Sequence, residues 1–227
     1  KKSLLIIDPW FEGYAFDKGW ALLDKSTTNE ALIDLISASK KEIYIWLSHE
    51  HSDHFSVPFL MSLKKFDLRV NFFYQRTTDR RVAKFIRNIG FSVVESNDTK
   101  EIIDSELSIV TFPFFAGDSY SLIMCKEFSL LNINDCVIQN ETRARSVMSN
   151  IKKYTVGVDL LMTQFGYANW LGNQDQKELR ISSAEEKLTR IKLQIEQFKP
   201  KYVIPFASFI YFCHKENYCV YEYKYHF

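Results

Sequence analysis

The segment LSHEHSDHF, residues 47–55, puts His49, His51 and His54 within six positions of a chain that has only five histidines in 227 residues. The run before it, EIYIWLS, is rich in β-branched and aromatic residues and reads as a strand. Where the backbone stays extended beyond that strand, His49 and His51 project to one side, because side chains alternate with a period of two. Asp53 and His54 follow on the turn before a helix expected from about Val57. Three imidazoles and a carboxylate on one loop are nitrogen and oxygen donors suited to zinc, iron or manganese. A strand-to-helix junction is also where sites are commonly built. Two more donors are placed alike: Asp135 closes the strand-like FSLLNIN, and His214 comes shortly after KYVIPF. One sheet edge could gather all of these, so the expected metal ligands are His49, His51, Asp53, His54, Asp135 and His214.

The elements that must position them are legible as alternating apolar runs. LLII, EIYIWLS, RVNFFY, FSVVE, LSIVTF, SYSLIM, FSLLNIN, DLLMTQ and KYVIPF read as strands. VPFLMSLKKF reads as a helix, and TDRRVAKFIRNIG reads as another that stops at Gly90. A long helix is expected from a capping box at Ser183 and Glu186, with Leu188, Ile191, Ile195 and Phe198 on one face and Pro200 ending it. Some strands are joined like hairpins and others are separated by helices, which suggests two sheets with helices outside. No repeat or linker interrupts residues 1–227, so a single domain is expected.

The motif His49-x-His51-x-Asp53-His54 resembles the signature of the metallo-β-lactamase superfamily. DPWFEGYAFDKGWALL, LSHEHSDHFSVPFL, GDSYSLI, LLNINDC, QFGYANWLGN and PFASFIYFCHKEN, running from Asp8 to Asn217, resemble the lactamase-like domain of the CMP-N-acetylneuraminate hydroxylases and their stand-alone relatives. The resemblance implies an α/β fold, an αββα sandwich of two mixed β-sheets flanked by helices, with a metal cleft at one edge. It implies one or two divalent ions, with zinc the first choice and iron or manganese the alternatives. His49 and His51 would bind one ion, Asp53, His54 and His214 the other, and Asp135 would bridge. Asp53 would be the catalytic residue, orienting a metal-bound water whose pKa the ion brings towards neutrality and taking up its proton.

Two departures qualify this. The family's third histidine for the first ion falls at Phe114 or Phe115, neither of which can ligate; Asp118 is the nearby candidate to replace it, although an Asp before Ser in such a loop is more often a turn residue. The first site then keeps His49, His51 and Asp135, so it should bind more weakly than the second. Two histidines and a carboxylate are also the facial triad of non-haem iron oxygenases. The hydroxylases also carry a Rieske module, and its paired Cys-x-His and Cys-x-x-His ligands are not found in this sequence. An oxygenase would need an external electron donor.

Trp10, on the loop after LLII, and Gln164, Tyr167, Asn169 and Trp170, on QFGYANWLGN, mix aromatic and polar groups that suit a small-molecule substrate, sugar-like or nucleotide-like. A net charge of +1 gives no electrostatic case for nucleic acid or a membrane surface. Cys125, Cys136, Cys213 and Cys219 lack C-x-x-C spacing and read as reduced thiols of a cytoplasmic protein. The start, KKSLLIIDPW, lacks a cleavage site and opens inside a strand-like run, as a chain trimmed at its N-terminus would. Three functions follow: a metal-dependent hydrolase of an ester, lactone or phosphodiester; an iron oxygenase of a sugar nucleotide or related metabolite; or a metal-binding module without catalysis.

Overall fold

The computed structural model describes residues 2–166, 172–207 and 209–223. The first sheet holds β1 (Ser3–Ile7), β4 (Glu42–Leu47), β5 (Val70–Tyr74) and β6 (Ser92–Glu95), in that order and all parallel. Parallel neighbours need long crossovers, supplied here by α1 (Asn29–Ala38), α2 (Val57–Lys65) and α3 (Arg81–Asn88). The central strands β4 and β5 are largely buried on both faces, whereas the edge strand β6 leaves Ser92 and Val94 exposed on one. Ile43, Ile45 and Leu47 of β4 pack with Phe59, Leu60 and Leu63 of α2, while Trp46 turns the opposite way into the layer between the sheets.

The second sheet runs antiparallel through β7 (Lys100–Ile102), β8 (Leu107–Pro113), β9 (Ser119–Cys125) and β10 (Phe128–Asn134). It continues in parallel with β11 (Leu160–Gln164) and β12 (Tyr202–Phe206). Before β11 comes α4 (Glu141–Ile151) and before β12 comes α5 (Lys177–Phe198). Ala144, Val147 and Ile151 of α4 and Phe198 of α5 cover its outer face. Trp46 and Phe73 from the first sheet meet Ile109 and Ile123 from the second, and the Trp46 indole donates to the Thr111 hydroxyl across the gap (3.0 Å). The layers are helix, sheet, sheet, helix.

The sandwich is the one expected, although its first sheet is wholly parallel and only the second is mixed. A third, small sheet of β2 (Tyr14–Ala15), β3 (Trp20–Leu22) and β13 (Ile210–Phe212) lies outside that scheme. Its strands of two or three residues carry too little alternation to be read from sequence. A second correction concerns α5, which begins at Lys177, so Ser183 and Glu186 lie inside it and form no capping box. The additional turns are tied to the segment just before them: buried Arg180 donates to the carbonyls of Asn173 and Gln174. Gly90 ends α3 as expected, at φ +102°, with its N–H on the Arg87 carbonyl and that of Phe91 on Ile86. No helix among the described residues is long and apolar enough to cross a membrane.

At the end of β6, the buried Glu95 carboxylate receives both Arg80 and Arg87. The Arg80 hydrogen bonds lead the effects that hold its pKa below the usual carboxylate range, against the pull of burial. A depressed carboxylate contributes stability above its unfolded pKa and loses it as pH falls through the folded one. Glu95→Gln should therefore lower the thermal midpoint at neutral pH, and the gap from the parent protein should close on acidification.

Candidate metal centre

β1 and β4 are paired so that Ile7 lies beside Trp46, which brings the residues just past their ends, Asp8 and Ser48, together. The Asp8 carboxylate accepts the Ser48 N–H (2.8 Å) and the Ser48 hydroxyl (2.7 Å). With its one proton given to Asp8, the Ser48 oxygen can only accept from His49 Nδ1 (2.9 Å). That fixes the His49 tautomer with the proton on Nδ1 and a lone pair on Nε2. Asp8 also takes a hydrogen bond from His54 Nδ1 (3.0 Å), which leaves His54 Nε2 facing the other way. One carboxylate thus orients two imidazoles, the arrangement that outer partners impose on metal-binding histidines. The Ser48 carbonyl is held in turn by Gln75 and Ser119.

Asp135 arrives from the second sheet. β10 carries an irregularity between Asn132 and Asn134. Asn134 has φ +45°, its N–H bonds the Asn132 side chain, and its own amide donates to Asp8. The kink delivers the Asp135 carboxylate to 3.7 Å from His49 Nε2 and 3.5 Å from His54 Nε2. His51 Nδ1 lies 2.8 Å from His49 Nε2, and Asp53 Oδ2 lies 3.3 Å from His54 Nε2. Ligands about 2 Å from one ion stand roughly 3 to 4 Å apart. Among the described residues, His49, His51 and Asp135 are the group whose ligand atoms all fall close enough to share an ion.

The electrostatics fit a cation. Burial, followed by the nearby His54, lowers the His49 pKa to about 4, so this imidazole is neutral and able to ligate at neutral pH. Burial pulls His54 the same way, but hydrogen bonds to Asp135, Asp53 and Asp8 hold its pKa well above the usual value. A cation bound there takes the place of a proton. Asp53 Oδ1 is buried without a hydrogen-bond partner, a costly state for a carboxylate oxygen unless a ligand or water satisfies it.

The sequence-expected residues divide clearly. His49, His51, Asp53, His54 and Asp135 converge. His214 is exposed just after β13, and among the described residues no hydrogen bond, ion pair or ring contact joins its side chain to the cluster. It lies past β13, which pairs with β3, and Trp20 of β3 packs on Phe16, whose ring meets His51. Phe114 packs on Tyr120 and Phe115 under the Arg143 guanidinium, so neither substitutes for a histidine. Asp118, anchored by backbone hydrogen bonds to Phe114 and Phe115, brings Oδ1 to 4.0 Å from His49 Nε2. Trp10 packs with Ala184, Ile210 and Phe212. Gln164 Oε1 accepts from Lys187 Nζ (3.0 Å). Tyr167, Asn169 and Trp170 lie outside the described residues. Sequence reading missed the role of Asp8, whose only signal was an acid directly after a strand, and it missed Lys187 altogether.

No protein-family model matches the chain. It is 25% identical over 224 residues to the cytidine monophosphate-N-acetylneuraminic acid hydroxylase of Danio rerio, covering 90% of this chain and 35% of that protein. The Mus musculus hydroxylase is 25% identical over 216 residues, with 90% and 36% covered. The chain thus spans about a third of the length of these curated relatives. Among solved structures, a point mutant of CmlA beta-hydroxylase superposes with a TM-score of 0.56 at 17% identity, over 74% of this chain and 37% of that one. This likeness is one of fold. The metallo-beta-lactamase fold protein YhfI of Bacillus subtilis is also similar, at a TM-score of 0.47 and 13% identity over 80% of this chain and 82% of that one.

Proposed function

We propose that this chain, which has the metallo-β-lactamase fold, carries a non-haem iron centre that hydroxylates a small organic substrate. The observation that carries the reading is the two-histidine, one-carboxylate set of His49, His51 and Asp135, the donor combination of iron oxygenases, which leaves coordination positions open. The similarity to hydroxylases over 90% of the chain supports it. Iron bound there supplies oxygen activation. The protein's own part is to hold His49 in its ligating tautomer through Ser48 and Asp8, to keep His54 and Asp53 beside the open positions, and to move a proton at Asp53. Inserting one atom of dioxygen and reducing the other to water takes two electrons and two protons. The 227 residues hold no paired Cys-x-His and Cys-x-x-His ligands, so the electrons come from a donor outside them. The relatives are named for a cytidine monophosphate-linked sugar acid, which makes sugar nucleotides the first substrates to test.

Protein loaded with ferrous ion under argon, then given oxygen, a chemical reductant and such a sugar nucleotide, should consume oxygen and yield a product heavier by one oxygen atom. The reading fails if only zinc-loaded protein turns substrates over, and does so by adding water. That outcome would favour a hydrolase, for which the nearness of Asp53 and Asp135 to His54 Nε2 is the supporting observation. In a hydrolase, Asp53→Asn should cut turnover by about 10² to 10⁴, the usual range for losing a general base.

A further inference from the structure

The inner face of α5 buries Arg180, Ala184, Ile191, Gln194 and Phe198. Lys187 falls on the same stripe, three residues after Ala184 and four before Ile191, where helical spacing calls for an apolar side chain. An ammonium in such a position is costly unless it is paired. Among the described residues its only hydrogen-bond partner is the neutral Gln164 side chain (3.0 Å). Gln164 follows Thr163, which pairs with Asn134 of β10, so it comes level with Asp135, the next residue on that strand. Lys187 is therefore brought towards the metal centre, and its charge acts on Asp135. One helical turn on, the largely buried Arg190 contacts Glu186 through Nη2, while its Nε is buried with no partner. Two cations with unused donors stand side by side, although like charges repel.

We propose that Lys187, assisted by Arg190, forms an oxyanion subsite that holds the phosphate or carboxylate of the substrate beside the metal centre. The inference rests on the substrate reacting at the metal centre and adds the side chains that hold its anionic group. Burial, then the Arg190 charge, lowers the Lys187 pKa to about 8, so the ammonium persists at neutral pH. A bound oxyanion supplies the counter-charge that Gln164 cannot. Lys187 is a binding residue and takes no part in bond making.

The test is calorimetric titration of inorganic phosphate into the parent protein and into Lys187→Met, Lys187→Arg and Arg190→Gln. Each protein is titrated as purified and after chelation, with metal content and thermal midpoint measured on the same samples. Methionine keeps most of the length of lysine without its charge, and it removes the cost of burying a poorly paired ammonium. The parent should bind phosphate with or without metal. Lys187→Met should bind at least tenfold more weakly with unchanged metal content, Arg190→Gln should be weakened to a lesser extent, and Lys187→Arg should retain binding. The proposal is overturned if the parent binds no phosphate, or if chelation alone abolishes binding, since the ion would then be the anion site. It is also overturned if Lys187→Met binds like the parent but melts lower, which would make Lys187 only a counter-charge to Asp135. Because phosphate binding is read without turnover, its failure is separate from failure of the iron reading.

Discussion

Asp135→Ala should empty the metal centre. Asp135 is the only carboxylate of the three-residue donor set and its one member from the second sheet. Its removal leaves His49 and His51, two neutral donors on a single loop, to hold a dication. Loss of an outer partner already costs about 10- to 100-fold in metal affinity, and loss of a direct ligand should exceed that. Competition titration against a chromophoric chelator reads the affinity. A variant that binds iron or zinc as tightly as the parent would remove Asp135 from the ligand set.

Asp8→Asn should have the next largest effect, although Asp8 is not in the donor set. The amide can still accept the Ser48 N–H through its oxygen, but its NH₂ then faces the Ser48 hydroxyl, His54 Nδ1 and the Asn134 amide, all donors to Asp8 in the parent. Released from Asp8, the Ser48 hydroxyl can turn and donate to His49 Nδ1. The imidazole proton then moves to Nε2, and the nitrogen that should ligate becomes a donor. Metal affinity should fall by about 10- to 100-fold, and thermal stability should fall as well, because hydrogen bonds to a charged group contribute about 1.5–3 kcal/mol each. Ser48→Ala separates the two effects: it frees His49 but leaves Asp8 on His54. If Asp8→Asn lowers the thermal midpoint without changing metal affinity, Asp8 is a structural anchor only.

These expectations also mark where sequence reading reaches and where it stops. His49, His51, Asp53 and His54 were legible because they are contiguous and sit where a recognisable strand ends. Asp135 was legible because it ends another strand, but the kink at Asn132 and Asn134 that aims it is a backbone event with no periodic signature. Asp8 needed a long-range fact, the pairing of Ile7 with Trp46, before its place beside Ser48 could be known. Lys187 was hidden by the misplaced start of α5. With the helix expected from Ser183, its inward stripe was read from Leu188, Ile191, Ile195 and Phe198, whereas the observed stripe starts at Arg180, runs through Ala184, and includes the cation. The short strands β2, β3, β7 and β13 were missed because two or three residues cannot display alternation. The nine longer strands, of four to seven residues, were all readable, and together with β7 they build the two sheets of the sandwich.

His49, His51 and Asp135 are proposed to hold one metal ion where the two sheets meet. Anomalous diffraction from crystals of iron-loaded protein, recorded on both sides of the iron edge, tests it most directly. The expected result is one strong peak about 2 Å from His49 Nε2, the His51 ring and the Asp135 carboxylate, absent from crystals of Asp135→Ala. A peak elsewhere in the molecule, with these three side chains unliganded, would contradict it.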